Sequence, residues 1–367
     1  MSGLIQQDTA ITEYFEKECI LNITDTEPLV SIITPAYNNI KFSEKYFESV
    51  NNQTYKNIEV IYSDQSAKDG TYVDAVPKLQ CGKILKVNVD EGCAAGNNRC
   101  VGQASGKFVF LLGPDTKMEP DCVENLVKIA LTDENKVYAP RQMSYDGSVF
   151  LSCGIAADIF GYPARTYTKD GKKQLKKIFY ADGTGVFMTR ENYIKIGMMD
   201  EGTYLYTEDV DLSWKANLLG LTVVPVSNSV IYHWSGGSIG GMGDFIKDLS
   251  GYETKVGRRF MVERNIIRNI IKNYSWWNVP WVLALYMSIN FFEFLALIMT
   301  GQFESAVKSY ISAYIWDIKN IRSTLKKRQQ IQSIRKVGDW EMLKRMYFVP
   351  SKFLALLELG VPRVRLK

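Results

Sequence analysis

The sequence predicts an α/β fold built on a doubly wound sheet, and three observations carry that prediction. Apolar, β-branched runs alternate with helical stretches from about residue 29 onward, the order expected of βαβ units. Two of those runs close on an acid, Asp64 and Asp115, at the strand ends where such sheets hold ligands. The composition, 46% hydrophobic and 23% charged over 367 residues, is ordinary for a globular chain long enough for one large domain with an appendage, or for two domains.

Taken in order, "LVSIITP" is a continuous apolar run of the kind buried on both faces of a parallel sheet. A turn (Tyr37, Asn38, Asn39) and a helical stretch follow. "IEVIYSD" reads as a second strand with the turn "QSAKDGT" behind it, "KILKVNV" as a third and "KFVFLLGPD" as a fourth. One acid closing a strand is ordinary turn chemistry; two on one rim point to a site. Between the third and fourth strands lies "EGCAAGNNRCVGQASGK". Its small residues suit either a helix packed tightly on the sheet or backbone lying close to a ligand. It contains neither G-x-G-x-x-G nor G-K-[ST], so a plain dinucleotide or P-loop site loses its main support. Residues 141–180 read as irregular and polar. "GTGVFMT" is then a strand, "RENYIKIGMMDE" a short helix and turn, and "LTVVPV" and "SVIYHWSGGS" two further strand-like runs. The only histidine, His233, closes the second of these.

Before those last strands, "YTEDVDLSWKANLLG" places Glu208, Asp209 and Asp211 at the start of a helix. Carboxylates there are favoured by the helix dipole and accept hydrogen bonds from orphan amides. One acid suffices for capping, so the surplus asks for chemistry.

Beyond about residue 255 the chain becomes helical and basic. Residues 255–367 hold 20 Lys+Arg and 7 Asp+Glu, whereas the whole chain has 44 and 40. "VPWVLALYMSINFFEFLALIM" reaches the ~20 apolar residues of a membrane span, but Asn290 and Glu293 interrupt it. Trp276, Trp277 and Trp281 at its start suit an interfacial belt. The tail is therefore expected at a membrane surface, ahead of simple packing on the body or a full span. Its apolar content argues against nucleic acid. The six cysteines show no C-x-x-C pair, and free thiols in a reducing cytoplasm are expected. The first residues lack the apolar core of a signal peptide.

The motifs "VSIITPAYNN", "VIYSDQSAKDGT", "GCAAGNNR", "VFLLGPDTKMEPD", "GTGVFMTRENYIKIGMMDE", "YLYTEDVDLSWKANLLG", "VIYHWSGGS" and "ERNIIRNIIKNY" together resemble the family 2 glycosyltransferases, nearest their bacterial and archaeal rhamnosyltransferase-like branch. The resemblance covers roughly residues 28–275. It implies a GT-A fold, a doubly wound mixed sheet with helices on both faces. It also implies an inverting mechanism, a nucleotide-sugar donor, and Mg²⁺ or Mn²⁺. The Gln-x-x-Arg-Trp motif of processive members is missing, so one sugar is added at a time. The implied layout is an N-terminal extension (1–27), a catalytic domain (28–255, its nucleotide-sugar half about 28–140 and acceptor half about 141–255) and a membrane-associated helical tail (256–367).

Carried over residue by residue, the resemblance makes Asp209 the catalytic base with Glu208 beside it. Asp211 becomes an orienting acid and Trp214 a residue of the acceptor side, with capping and core packing as their competing roles. Asp115 matches the last acid of the D-x-D metal motif, whose first acid is replaced here by Gly113. His233 is implied as a metal ligand or diphosphate donor. Asp64 is implied to accept the N3–H of a uracil or thymine ring, with Pro35, Ala36 and Tyr37 forming the first nucleotide loop. Asn98 and Arg99 face the nucleotide or its phosphates, and Gly183 and Thr184 lie beneath the sugar. The expected enzyme moves a sugar, rhamnose first, from a dTDP- or UDP-donor to a lipid-linked or glycan acceptor at the cytoplasmic membrane face. Two alternatives remain. A sugar-1-phosphate nucleotidyltransferase needs a Gly-rich, Arg-bearing loop after the first strand, which "TPAYNNIKF" lacks. A non-catalytic membrane-bound scaffold has only Gly113 in its favour.

Overall fold

The computed structural model describes residues 10–66, 68–164, 177–234 and 253–366. Contacts divide the chain into two compact units. The first comprises residues 1–153, 183–193 and 225–241, and the second 154–182, 194–224 and 242–367.

The first unit is built on one sheet. Its strands are β1 (Ile11–Lys17), β2 (Val30–Ala36), β3 (Ile58–Gln65), β4 (Gly82–Val87), β5 (Phe108–Leu112), β6 (Thr116–Met118), β7 (Lys136–Ser144), β8 (Phe150–Ser152), β9 (Gly185–Thr189) and β10 (Thr222–His233). They follow the order β1-β4-β3-β2-β5-β9-β7-β10-β6, with β8 on β7. The segment β4-β3-β2-β5 is parallel, and β3 is buried along its whole length, as its apolar run requires. Helices α1 (Ile40–Asn51), α2 (Thr71–Ala75), α3 (Gly92–Gly102) and α4 (Cys122–Ala130) supply the connections. The predicted βαβ alternation is thus present. Beyond β5 the sheet turns antiparallel through β9.

Three expectations change here. "LTVVPV" and "SVIYH" form a single strand, because the polar pair Ser227 and Asn228 faces outward instead of turning. The N-terminal stretch is an edge strand, β1, antiparallel to β4. That pairing brings Cys19 and Cys81 together as a disulfide with Cα atoms 4.8 Å apart, inside bridging range. Four cysteines, not six, are free thiols. The bridged pair is 62 residues apart in sequence, so no local spacing announced it, and the cysteines give no support to a reducing compartment.

The second unit holds α6 (Glu208–Leu219), α7 (Val256–Asn273), α8 (Val279–Met299), α9 (Ser312–Lys319), α10 (Ile321–Ile334), α11 (Asp339–Lys344) and α12 (Ser351–Leu359), and α5 (Arg190–Lys195) straddles the units. Its core joins Ile159, Phe160, Trp214, Ile266, Ile270, Tyr274, Val282, Tyr286 and Met342. The segment read as polar and irregular thus contributes buried Ala156, Ala157, Ile159 and Phe160. On α8, Val282, Tyr286, Asn290, Glu293 and Leu297 are buried at helical spacing, whereas Trp281, Leu285, Phe291, Phe292, Leu295 and Met299 are exposed.

Candidate active site

In the first unit, parallel pairing of β2 and β3 sets Pro35 opposite Ser63 and Ala36 opposite Asp64 at the carboxyl rim. Asp64 is buried, and its Oδ2 accepts the Tyr72 amide at 3.0 Å. Tyr37 is exposed and precedes Asn38, whose φ is +54°. The Asn39 Nδ2 donates to the Tyr37 carbonyl at 2.7 Å and fixes that turn. Asp69 joins the next loop to it, accepting the Ile40 amide at 3.0 Å and the Thr71 hydroxyl at 2.6 Å. Residues 35–37 and Asp64 thus stand together at one rim of the sheet.

Asn98 and Arg99 lie on α3. Asn98 is buried on α3 and its Oδ1 accepts the Tyr193 hydroxyl at 2.7 Å. Arg99 donates from Nε to Glu91 at 2.7 Å and forms an ion pair with it. Both side chains hold protein partners where phosphate contacts were expected. The small-residue stretch is a helix packed against β2 and β3.

Asp115 and His233 are brought together by β6 and β10, where His233 lies opposite Thr116 and the Trp234 amide donates to the Asp115 carbonyl at 3.1 Å. Their side chains approach to 3.5 Å, His233 Nε2 to Asp115 Oδ2. Gly113 sits against them: its amide donates to the Thr184 carbonyl at 3.1 Å. A Cβ at position 113 would stand 3.0 Å from Thr184 Cγ2 and 3.1 Å from Asp115 Oδ1. A side chain there would fit only if Thr184 or Asp115 shifted by a few tenths of an ångström. Gly183 and Thr184 border this group just ahead of β9. Among the described residues no three His, Cys, Asp or Glu side chains cluster as a metal site. Asp115 and His233 offer one carboxylate and one imidazole, a set that Mg²⁺ or Mn²⁺ accepts when phosphate oxygens and water complete it.

In the second unit, the acids open α6 after a strained approach, with positive φ at Tyr204, Tyr206 and Thr207. The N-cap Thr207 makes no side-chain cap bond. Asp209 is half-buried and its Oδ1 accepts the Val210 amide at 2.8 Å; Glu208 beside it is buried. Asp211 is enclosed completely, 3.2 Å from Lys215 Nζ and 3.0 Å from Lys272 Nζ. Burial alone would raise its pKa, but Lys215 and Lys272 outweigh this and hold it below the usual carboxylate range. It pairs with two basic neighbours. Trp214, expected on the acceptor side, is only 1% exposed and packs edge-on against Phe179 and Tyr274. Core packing claims it, because its helix face turns toward α7 and not toward solvent. Reading the sequence missed Tyr180 and Asp182. Burial first, then the fields of Asp209, Asp182 and Asp158, push the Tyr180 hydroxyl well above its ordinary pKa.

Residues 31–197 match the family described as Glycosyl transferase family 2. Over that stretch the chain is similar to a family 2 glycosyltransferase domain. Its mixed α/β architecture is the GT-A fold. An uncharacterised glycosyltransferase of Rickettsia prowazekii is 29% identical over 195 residues, 51% of this chain and 58% of its own length. A UDP-Glc:α-D-GlcNAc-diphosphoundecaprenol β-1,3-glucosyltransferase of Escherichia coli is 32% identical over 129 residues, 35% of this chain and 50% of its own. The chain thus spans about half the length of these relatives. The solved S. aureus TarS 1–349 shares 16% identity over 88% of this chain and 93% of its own with a TM-score of 0.49, too distant to carry chemistry across.

Proposed function

We propose that this chain is an inverting, non-processive glycosyltransferase. It transfers a sugar from a dTDP- or UDP-linked donor to a hydroxyl of a lipid-linked or glycan acceptor in cell-surface glycan assembly. The observation that carries the reading is the Asp115–His233 pair, 3.5 Å apart, at the strand ends of a family 2-like domain. The relatives add weight, since one is named for a glucosyl transfer from UDP-Glc to a diphosphoundecaprenol-linked sugar. Rhamnose and the dTDP donor rest on the sequence resemblance alone.

The reaction is one displacement at the anomeric carbon. The acceptor oxygen bonds to carbon as the bond to the diphosphate breaks, and the hydroxyl proton passes to the Asp209 carboxylate. A carboxylate accepts that proton only as the attacking hydroxyl acidifies, so placement outweighs basicity. Asp64 reads the base of the nucleotide, and Asp115 and His233 face the diphosphate end. A Mg²⁺ or Mn²⁺ ion held by those two residues would neutralise charge on the departing diphosphate. Attachment to the cytoplasmic membrane face through the exposed side of α8 completes the proposal.

The test is turnover of dTDP-rhamnose and UDP-glucose by wild type and Asp209→Asn. The variant should lose about 10²–10⁴-fold in kcat while still binding donor by calorimetry, and chelation should abolish transfer by the wild type. Undiminished transfer by Asp209→Asn rejects the assigned base. Failure to bind or turn over any of a panel of nucleotide-sugars rejects the enzyme.

A further inference from the structure

Residues 264–273 read R-N-I-I-R-N-I-I-K-N, and a four-residue repeat on a helix lays its members in two rows. In α7 the isoleucine row enters the core through Ile266, Ile267, Ile270 and Ile271. The Asn/basic row is buried as well, although a basic face is expected to meet solvent or an anionic partner.

That row grips the approach to the acids of α6. Asn265 Nδ2 lies 3.1, 3.0 and 2.8 Å from the carbonyls of Thr203, Leu205 and Tyr206. Arg264 donates to the Thr203 carbonyl at 2.9 Å. Asn269 reaches the Thr207 carbonyl and hydroxyl at 3.4 and 3.3 Å, and Asn273 donates to Asp211 at 3.0 Å. Below them, Arg268 and Lys272 hold Asp200, the cap of the preceding turn, at 2.7 and 2.5 Å. A Cβ at Gly202 would lie 2.8 Å from the Arg268 guanidinium, so glycine at 202 lets that arginine dock.

Two features separate this from ordinary packing. The held segment carries positive φ at Tyr204, Tyr206 and Thr207, a conformation that L-residues adopt only when surroundings impose it. The Oδ1 atoms of Asn265, Asn269 and Asn273 are buried without a hydrogen-bond partner, a cost that an apolar face would avoid. The row forgoes stability to fix a path.

We propose that the Asn/basic row of α7 is a positioning device that holds loop 204–207 in its left-handed course and thereby sets the aim of Asp209. Asn265 and Asn269 are its positioning residues. This rests on the reading of Asp209 as the base.

Steady-state kinetics on the full chain test it, with Asp209→Asn measured alongside. Asn265→Ala and Asn265→Asp, which removes the donor at nearly constant shape, should each lower kcat at least tenfold. Donor KM and nucleotide affinity should stay within twofold, and amides 204–209 should exchange hydrogen faster. If Asn265 variants do not fold, Asn269→Ala, whose contacts are longer, gives the same readout. A loss that follows only the folded fraction, or unchanged kcat in these variants, overturns the proposal while a dead Asp209→Asn leaves the assigned base standing. An active Asp209→Asn instead removes the reading on which it rests.

Discussion

Asp317 on α9 is the residue whose chemistry is most out of balance. Neither of its carboxylate oxygens has a hydrogen-bond partner, and both are buried. Burial pushes its pKa to about 8, against the lowering effect of Arg268 and Arg264. Because the folded pKa exceeds the unfolded value of ~3.9, the folded state binds more protons between those limits. Stability therefore falls as pH rises from about 4 to about 8 on account of this group. Asp317→Asn should be more stable than wild type at pH 8, with the difference shrinking to near nothing by pH 4. Urea denaturation at the two pH values checks it, and a difference independent of pH would contradict it. Single residues were also where the sequence was most and least legible. Asp64, Asp115 and His233 could be picked out because strand ends and motif order fix their neighbourhood. Asn98, Arg99 and Trp214 were legible only as helix positions, because a helix address does not tell whether a side chain meets substrate or a buried partner such as Tyr193, Glu91 or Tyr274.

Elements were read better than their faces. The parallel strands announced themselves through uninterrupted apolar runs, whereas β10 was cut in two by a polar pair that only faces outward. The basic face of α7 was legible as periodicity, but its burial was not, since its partners are carbonyls and Asp200 some 60 residues earlier. Glu293 on α8 shows the same hidden pairing: it meets Arg259 and, at 2.9 Å, Lys352. Glu263 completes the group, 3.0 Å from Arg259 and 2.7 Å from Lys352. Removing Glu293 alone leaves two buried cations against one carboxylate. Glu293→Leu should cost about 3–5 kcal/mol, whereas Glu293→Leu with Lys352→Met, which restores the charge balance, should cost clearly less. Chemical denaturation of both variants decides it, and equal losses would show that packing and not charge sets the cost.

For the molecule as a whole, the open matter is what the basic, apolar C-terminal region meets. Its charge surplus shrinks on inspection, since Arg259, Arg264, Arg268, Lys272, Arg328 and Lys352 are buried inside the second unit. The exposed cations that remain include Lys308, Lys319, Arg322 and Lys326. Among the described residues one helix, α8, is long and apolar enough to cross a bilayer, but its buried face carries Asn290 and Glu293 tied to Glu263, Arg259 and Lys352. Lipid cannot replace those partners on that side. Its other face exposes Trp281, Leu285, Phe291, Phe292, Leu295 and Met299. Trp277 stands 90% exposed at one end, and Arg363 and Arg365 line a cavity with Thr300 and Gly301 at the other. A helix polar within, apolar without and with cations near one end has the character of an in-plane membrane helix, and the proposal of membrane attachment can be tested on it. The full chain should therefore float with vesicles containing phosphatidylglycerol and less with pure phosphatidylcholine. Phe291→Ser with Phe292→Ser and Met299→Ser should remove at least nine-tenths of that binding while leaving donor affinity unchanged. Wild type that stays at the bottom of the gradient, or that forms a dimer which the same substitutions dissolve, would place a second copy of the chain and not lipid on this face.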